Sequence, residues 1–128
     1  MTEQNMRRII ENYIDAYNNF DIDGMLADMD TEVDFKNYAN DRVNMQVKGI
    51  DELREAAEMA AELFSTRSQT IKSFSFEPDK AEIEIDYYGV LAVDVPNGPK
   101  AGTEMHMEGR SIFRFQDGFI VSLEDFGQ

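Results

Sequence analysis

The sequence predicts an α+β domain in which three N-terminal helices pack on one face of a curved antiparallel sheet. In the first half of the chain, apolar residues recur at intervals of three and four, which is typical of amphipathic helices. After Thr66 they alternate with polar residues, as in half-buried strands. The chain has 128 residues and no linker or internal repeat, so we expect residues 1–128 to form a single domain around one core.

The helices are predicted from their apolar stripes and their ends. In the first helix one stripe holds Met6, Ile9, Ile10, Tyr13 and Tyr17. Asn18-Asn19 ends this helix, and Asp21 is suited to cap a short second helix because its carboxylate can accept a backbone N–H. Gly49 precedes an alanine-rich third helix in IDELREAAEMAAELF.

The strands are predicted from alternation and turn residues. Val33 and Phe35 alternate with charged residues in EVDFKNY, whereas residues 39–48 are polar and are expected to form a loop or an irregular strand. Four further runs, TIKSFSFE, AEIEIDYYGVLAVDV, TEMHMEGRSIFRF and FIVSLEDF, predict an antiparallel meander. Asp117-Gly118 is typical of the tight hairpin that joins the last two. Helices packed on one face of a curved sheet leave a cavity, where we expect the functional site.

Charge and composition exclude several classes of function. Twenty-six acidic and twelve basic residues give a formal net charge of -14, so we expect no nucleic-acid partner and no membrane partner. The chain has no cysteine and therefore no disulfide. It begins without an apolar signal segment, which favours a cytoplasmic protein. We predict neither a metal nor a cofactor, because zinc spacings and phosphate-binding glycine loops are lacking.

The aspartate-rich segment NFDIDGMLADMD was compared with a calcium-binding loop. Asp21, Asp23 and Gly24 fall at suitable loop positions. The first position is Asn19, however, and the last is Asp30, whose short side chain is poorly placed for bidentate contact. Acidic caps at an elbow between two helices are therefore the favoured interpretation.

Three motifs, in the same order, resemble the nuclear transport factor 2-like superfamily, which includes ketosteroid isomerase, scytalone dehydratase and small polyketide cyclases. YIDAYNNFDIDGM matches the isomerase-type opening without gaps, GIDELRE matches the start of the third helix, and SIFRFQDG matches the C-terminal hairpin. The resemblance covers almost the whole chain and implies the superfamily's cone-shaped fold. It does not fix the activity, because one fold serves many functions.

The resemblance places three residues on the catalytic positions of ketosteroid isomerase. Tyr13 falls on the oxyanion-binding tyrosine, Asn37 on the general-base aspartate, and Ser111 on the protonated aspartic acid. An amide cannot act as the base, and a serine donates a weaker hydrogen bond than a carboxylic acid in an apolar site. Ketosteroid isomerisation is therefore not expected.

Strand alternation identifies further residues that face the cavity. If Ser111 faces it, so do Met105, Met107, Phe113 and Phe115. His106, the only histidine, then lies on the opposite face, unless a β-bulge at Gly109 reverses the alternation. On the last strand, Asp125 shares a face with Val121 and Leu123.

These residues give a candidate site. Resemblance to polyketide-cyclase-like members, which often use a carboxylate near the end of the last strand, makes Asp125 the candidate acid/base; the alternative is a solvated terminal residue. Tyr13 would polarise a ligand oxygen and Asn37 would orient the ligand, although a core tyrosine bonded to a carbonyl is a structural alternative. The expected ligand contacts are Phe35, Met59, Tyr87, Met105, Met107, Ser111 and Phe113.

Three functions remain open. The protein would bind a small apolar molecule in the cavity and catalyse lyase, isomerase or cyclase chemistry, or it would bind this molecule without catalysis. The amide at Asn37 slightly favours binding alone. The third function is protein interaction through the convex sheet face. We expect a homodimer, because exposed apolar groups would lie among the charges of that face: Tyr88, Val90, Ile112 and Ile120.

Overall fold

The computed structural model describes residues 1–127, which form three helices and a six-stranded sheet. The helices are α1 (Glu3–Asn18), α2 (Ile22–Leu26) and α3 (Ile50–Glu62). The strands are β1 (Met29–Ala39), β2 (Arg42–Lys48), β3 (Phe64–Glu77), β4 (Lys80–Leu91), β5 (Glu104–Gln116) and β6 (Phe119–Gly127). The predicted α+β class is confirmed. None of the helices described is long and apolar enough to span a bilayer.

The sheet places the last strand in its interior. The strand order is β2-β1-β6-β5-β4-β3, and all neighbours are antiparallel except β1 and β6, which are parallel. The predicted meander corresponds to β3–β6. Of the two alternatives for residues 39–48, the structure shows a strand, because β2 forms a hairpin with β1.

The core lies between the helices and the face of the sheet that they cover, called here the inner face. The predicted stripe of α1 is buried except at Tyr17, which is half-buried, and Met6 and Ile10 are fully inaccessible. Ile83, Phe113 and Leu123 are fully buried on the central strands opposite. Burial of each large apolar side chain contributes about 1.5–3 kcal/mol, so this layer holds the helices on the sheet.

The segment between α1 and α2 is an elbow fixed by its own side chains. Asp21 Oδ1 accepts a hydrogen bond from the backbone N–H of Gly24 at 3.0 Å, which confirms the predicted cap. Gly24 is needed there, because a Cβ would lie 2.4 Å from Asp21 Oδ2 and 2.9 Å from Ala16 Cβ. The Asn18 amide exchanges two hydrogen bonds with the backbone of Gln69, at 2.8 and 3.0 Å, and so docks the elbow on β3.

The other two motifs also have structural roles. Arg54 of GIDELRE pairs with Asp23 of the elbow at 2.7 Å, on the surface, where such pairs contribute about 1 kcal/mol or less. Asp117 and Gly118 adopt φ values of 53° and 85°, which suit the two-residue turn between β5 and β6. The predicted hairpin is confirmed.

The outer face of the sheet departs from the prediction at two isoleucines. Ile120 is buried in the core, because the pairing of β5 with β6 shifts between Arg114 and Phe115 and brings Ile120 opposite Phe115. Ile120 therefore takes the inward position predicted for Val121. Ile112 lies outside the core cluster but is buried as well. The outer face thus exposes less apolar surface than expected, and the homodimer stays a prediction.

Candidate functional site

Two cavities adjoin the inner face of the sheet and share the wall residues Tyr17, Asn37 and Asp125. The helix-side cavity, of about 210 Å³, has a largely apolar wall that includes Tyr13 and Leu53. The sheet-side cavity, of about 160 Å³, extends over β4 and β5. Ligand pockets are mostly apolar with a few polar groups, and the helix-side cavity fits that description.

A larger surface depression is less suited to an apolar ligand. It has a volume of about 310 Å³ and is lined mainly by charged side chains. Two of these, Lys72 and Glu108, pair with each other at 3.4 Å. The two cavities of the inner face are therefore the better candidates for the binding of an apolar ligand.

Asn37, Asp125 and Ser111 form a row across three adjacent strands. The parallel pairing of β1 with β6 places Asn37 beside Asp125, and the antiparallel pairing of β5 with β6 places Ser111 beside Asp125. Directly paired residues point to the same face of a sheet, so all three side chains reach the cavities. Ser111 Oγ donates a hydrogen bond to Asp125 Oδ1 at 2.7 Å, and Asn37 Nδ2 donates to Asn44 Oδ1 at 2.8 Å.

The environment of Asp125 favours the protonated carboxyl. Burial raises the pKa of Asp125 from 3.8 to about 6, and the hydrogen bond from Ser111 opposes this change. Within residues 1–127, no basic side chain forms an ion pair with Asp125. A carboxyl with a pKa near the working pH can both accept and release a proton, as a general acid/base must.

Tyr13 packs its ring into the core and belongs to the wall of the helix-side cavity. The ring contacts Phe113 edge-to-face, with centroids 5.8 Å apart. Of the hydrogen bonds formed within residues 1–127, none involves the Tyr13 hydroxyl, and this oxygen is not fully buried. Burial and the nearby charge of Asp125 both raise the pKa of Tyr13, so its hydroxyl stays protonated. Tyr13 can therefore donate a hydrogen bond to a ligand oxygen.

Tyr17 is a site residue that the sequence interpretation missed. It lines both cavities, and its hydroxyl forms a hydrogen bond of 2.8 Å with the hydroxyl of Tyr87. Residues four apart on a helix share a face, so the cavity position of Tyr13 would have indicated Tyr17 as well. Tyr87, which was among the expected ligand contacts, lines the sheet-side cavity.

Arg67 is a second site residue that was missed. It lies in the wall of the helix-side cavity and is only 4% exposed. Its Nε donates to the backbone oxygen of Tyr17 at 3.1 Å, and its guanidinium stacks on the rings of Tyr17 and Phe20 at 3.7 and 4.6 Å. The pattern that would have revealed it is alternation along β3, where Arg67, Gln69 and Ile71 all point inward.

The other expected ligand contacts are divided between cavity and core. Phe35 lines the helix-side cavity, and Met107 and Ser111 line the sheet-side cavity. Phe113 is fully buried behind Tyr13, and neither cavity wall includes it. Met105 is half-buried on β5 and is also outside both walls.

The predicted placement of Met59 is wrong. Met59 is 65% exposed, whereas Ala56, Ala57 and Ala60 line the helix-side cavity. These alanines lie three, four and seven positions after Leu53, which also lines that cavity, and such spacing keeps them on one helix face. Met59 falls on the opposite, solvent-facing side of α3.

His106 lies on the outer face, as predicted. It is exposed, and its ring lies beside that of Tyr88 with centroids 4.9 Å apart. The pairing of β4 with β5 runs without a register shift past Gly109, so no bulge turns His106 inward.

Comparison with known proteins identifies the family. The family model of the SnoaL-like domain matches residues 10–123. No curated protein matches the sequence. Similar solved structures include a candidate SnoaL-like polyketide cyclase from Jannaschia sp. CCS1, with a TM-score of 0.85, 15% identity, and coverage of 98% of this chain and 87% of that one.

Two further structures have the same fold. One is a candidate polyketide cyclase from Xanthomonas campestris pv. campestris, with a TM-score of 0.82, 20% identity, and coverage of 96% of this chain and 90% of that one. The other is a protein with a ketosteroid isomerase-like fold from Catenulispora acidiphila DSM 44928, with a TM-score of 0.76, 14% identity, and coverage of 91% and 82%. At these identities the likeness shows the fold alone. From the family match and the fold together, the chain belongs to the SnoaL-like domain family of the nuclear transport factor 2-like superfamily.

Proposed function

We propose that this protein binds a small, largely apolar carbonyl compound in the helix-side cavity and transfers a proton to and from carbon. The observation that carries the proposal is that Asp125 and Tyr13 both lie in the largely apolar wall of this one cavity. Asp125 has a pKa of about 6, and the Tyr13 hydroxyl is a protonated donor with no partner among residues 1–127. An acid/base and an oxyanion donor are what enolate chemistry requires.

The reaction begins with ionised Asp125. Its carboxylate takes a proton from a carbon next to a carbonyl group, and the electron pair of the C–H bond forms an enolate. The enolate oxygen accepts a hydrogen bond from the Tyr13 hydroxyl, which stabilises the developing negative charge. Protonated Asp125 then returns the proton, to a different carbon in an isomerisation. In a cyclisation, the enolate carbon attacks a second carbonyl and the resulting alkoxide takes the proton. Either route restores ionised Asp125 and needs no oxidant or reductant.

The neighbouring residues position these two groups. The hydrogen bond from Ser111 fixes one oxygen of Asp125, which leaves the other to exchange the proton. Asn37, held by Asn44, offers a neutral polar group in the wall that both cavities share and orients the ligand. The candidate polyketide cyclases among the similar structures support the cyclase form of this chemistry.

Exchange of hydrogen for deuterium tests this proposal without knowledge of the natural substrate. The probe is 2-tetralone in deuterated buffer near neutral pH, with loss of the proton signal next to its carbonyl followed by NMR. We expect the wild type to accelerate exchange and Asp125→Asn to lose about 100-fold or more of that acceleration, the usual contribution of a general base. Asp51→Asn, which changes an exposed carboxylate at the start of α3, is the matched control and should exchange at the wild-type rate.

Two results would reject the proposal in different ways. If Asp125→Asn accelerates exchange as well as the wild type, Asp125 is not the base. If 2-tetralone shifts the NMR signals of cavity residues but the wild type does not accelerate exchange, the protein is a binding module without this chemistry.

A further inference from the structure

Arg67 is a buried cation that has no carboxylate partner among residues 1–127. The chain contains 26 acidic residues, yet none of the ion pairs formed within residues 1–127 includes Arg67. A guanidinium keeps its charge inside a protein, and an unpaired buried charge is strongly destabilising. Because Arg67 lies in the wall of a cavity, a ligand bound there could compensate its charge.

The elbow between α1 and α2 holds the guanidinium in place. Nε donates to the Tyr17 carbonyl at 3.1 Å, and Nη2 lies 4.0 Å from Met25 Sδ. The Phe20 ring covers the cation. The backbone of Phe20 has a φ of 57°, a left-handed conformation that a bulky residue adopts only when the surrounding structure imposes it. The guanidinium is thus held in place before a ligand binds. The aromatic rings attract its positive charge but do not neutralise it.

Part of the guanidinium remains available to a ligand. Of its five N–H groups, the contacts to Tyr17 and Met25 use one on Nε and one on Nη2. Nη1 has no hydrogen-bond partner among the described residues. Every fully buried side-chain nitrogen or oxygen atom of these residues does have one. Nη1 is therefore accessible, and the helix-side cavity, whose wall includes Arg67, is the space beside it.

We propose that Arg67 binds a carboxylate of the ligand, which makes the ligand a small carboxylic acid with an apolar body. Carboxylates match the planar fork of a guanidinium and accept two parallel N–H bonds from it. The helix-side cavity, at about 210 Å³, is smaller than pockets for drug-sized molecules, which points to an acid of one or two rings. With its carboxylate at Arg67, the apolar body lies against the wall that contains Tyr13 and Asp125.

This inference rests on the proposed use of the helix-side cavity as a ligand site, but not on catalysis by Asp125. It is tested with naphthalene-2-carboxylate and its neutral, nearly isosteric amide, by calorimetric titration at pH 7.5 and low salt. We expect the wild type to bind the carboxylate at least tenfold more tightly than the amide. The preference should vanish in Arg67→Gln and shrink in Arg67→Lys, which keeps the charge but loses the fork. In Asp125→Asn it should persist or increase, because a second negative charge is removed.

Arg54→Gln is the matched control, because it removes an exposed arginine that is paired with Asp23. It should keep the full preference for the carboxylate. If Arg67→Gln does not fold, the wild type decides the question through the NMR signal of the Arg67 Nε–H. That signal should shift on titration with the carboxylate and stay in place with the amide.

Equal affinity of the wild type for acid and amide would overturn the inference and leave Arg67 a structural residue. So would a preference that survives in folded Arg67→Gln, or an Nε–H signal that the carboxylate does not shift. The two proposals fail separately. A preference for the acid without exchange of 2-tetralone rejects catalysis by Asp125, and exchange without that preference rejects the role of Arg67.

Discussion

Replacement of Asp125 by asparagine should stabilise the protein above pH 6 while it removes the proposed general base. Asparagine keeps an oxygen that can accept the hydrogen bond from Ser111, and it removes the negative charge that burial disfavours. The folded protein holds the Asp125 proton up to about pH 6, whereas the unfolded chain releases it near pH 3.8. The folded state therefore binds more protons between these values, and wild-type stability falls as the pH rises through them.

The two pKa values give the size of the effect. The difference between about 6 and 3.8 corresponds to about 3 kcal/mol, at 1.36 kcal/mol for each pH unit. Well below pH 3.8 the carboxyl is protonated in both states, so the variant and the wild type should differ little there. Above pH 7 the variant should be more stable by about 3 kcal/mol.

Urea unfolding at several pH values between 4 and 8 measures this difference. Titrations common to both proteins cancel when the free energy of unfolding of the wild type is subtracted from that of the variant. Asp51→Asn, which removes an exposed carboxylate outside the cavities, is the matched control. Carbon-13 NMR of the wild type should place the midpoint of the Asp125 carboxyl near pH 6.

A constant difference across this range would refute the reasoning, because the folded state would then not disfavour the charge of Asp125. A variant that is less stable than the wild type at pH 8 would refute it as well. In that case the carboxylate would stabilise the fold through contacts that asparagine cannot make.

Four further substitutions test the structure and the site. Gly24→Ala should lower the free energy of unfolding by about 1–3 kcal/mol in urea, because the added methyl meets the Asp21 carboxylate and Ala16; unchanged stability would show that the elbow relaxes freely. Tyr13→Phe should weaken binding of a carbonyl ligand by about 1 kcal/mol in calorimetry with an unchanged midpoint of thermal unfolding, and a loss of fold instead would make the hydroxyl structural. Phe113→Ala should cost about 3–5 kcal/mol of stability, whereas Met59→Ala, at an exposed site, should change it by less than about 0.5 kcal/mol; similar losses would contradict the assigned burial.

Local patterns made most of the fold predictable from the sequence. The spacing of Met6, Ile10 and Tyr13 reports directly on the buried face of α1, and Asp117-Gly118 reports on its turn. β2 could not be identified with certainty, because nearly all of its side chains are exposed and no alternation marks a buried face. The burial of Ile120 depends on a register shift between β5 and β6, which arises from pairing and not from the sequence of β6 alone.

The sequence predicts which single residues face the cavity, but not which of them lie next to one another. Alternation along single strands turned Asn37 and Asp125 inward, but their adjacency depends on the parallel pairing of β1 with β6. Arg67 was missed because a charged residue in a strand is expected to face solvent. Alternation along β3 turns Arg67 inward, but the rings that cover it, Tyr17 and Phe20, belong to a distant part of the chain, and the sequence does not mark such a contact.

The interior position of β6 has a consequence for folding during synthesis. β6 pairs with β1 on one side and β5 on the other, so without it the strands form two separate pieces, β1–β2 and β3–β5. The ribosome makes β6 after every other strand, and until then each piece presents an unpaired edge that can pair with a neighbouring nascent chain. Insertion of β6 closes both edges and brings Asn37, Asp125 and Ser111 together in the same step. A chain in which these three residues are adjacent therefore no longer exposes either of the two edges that could pair with another chain.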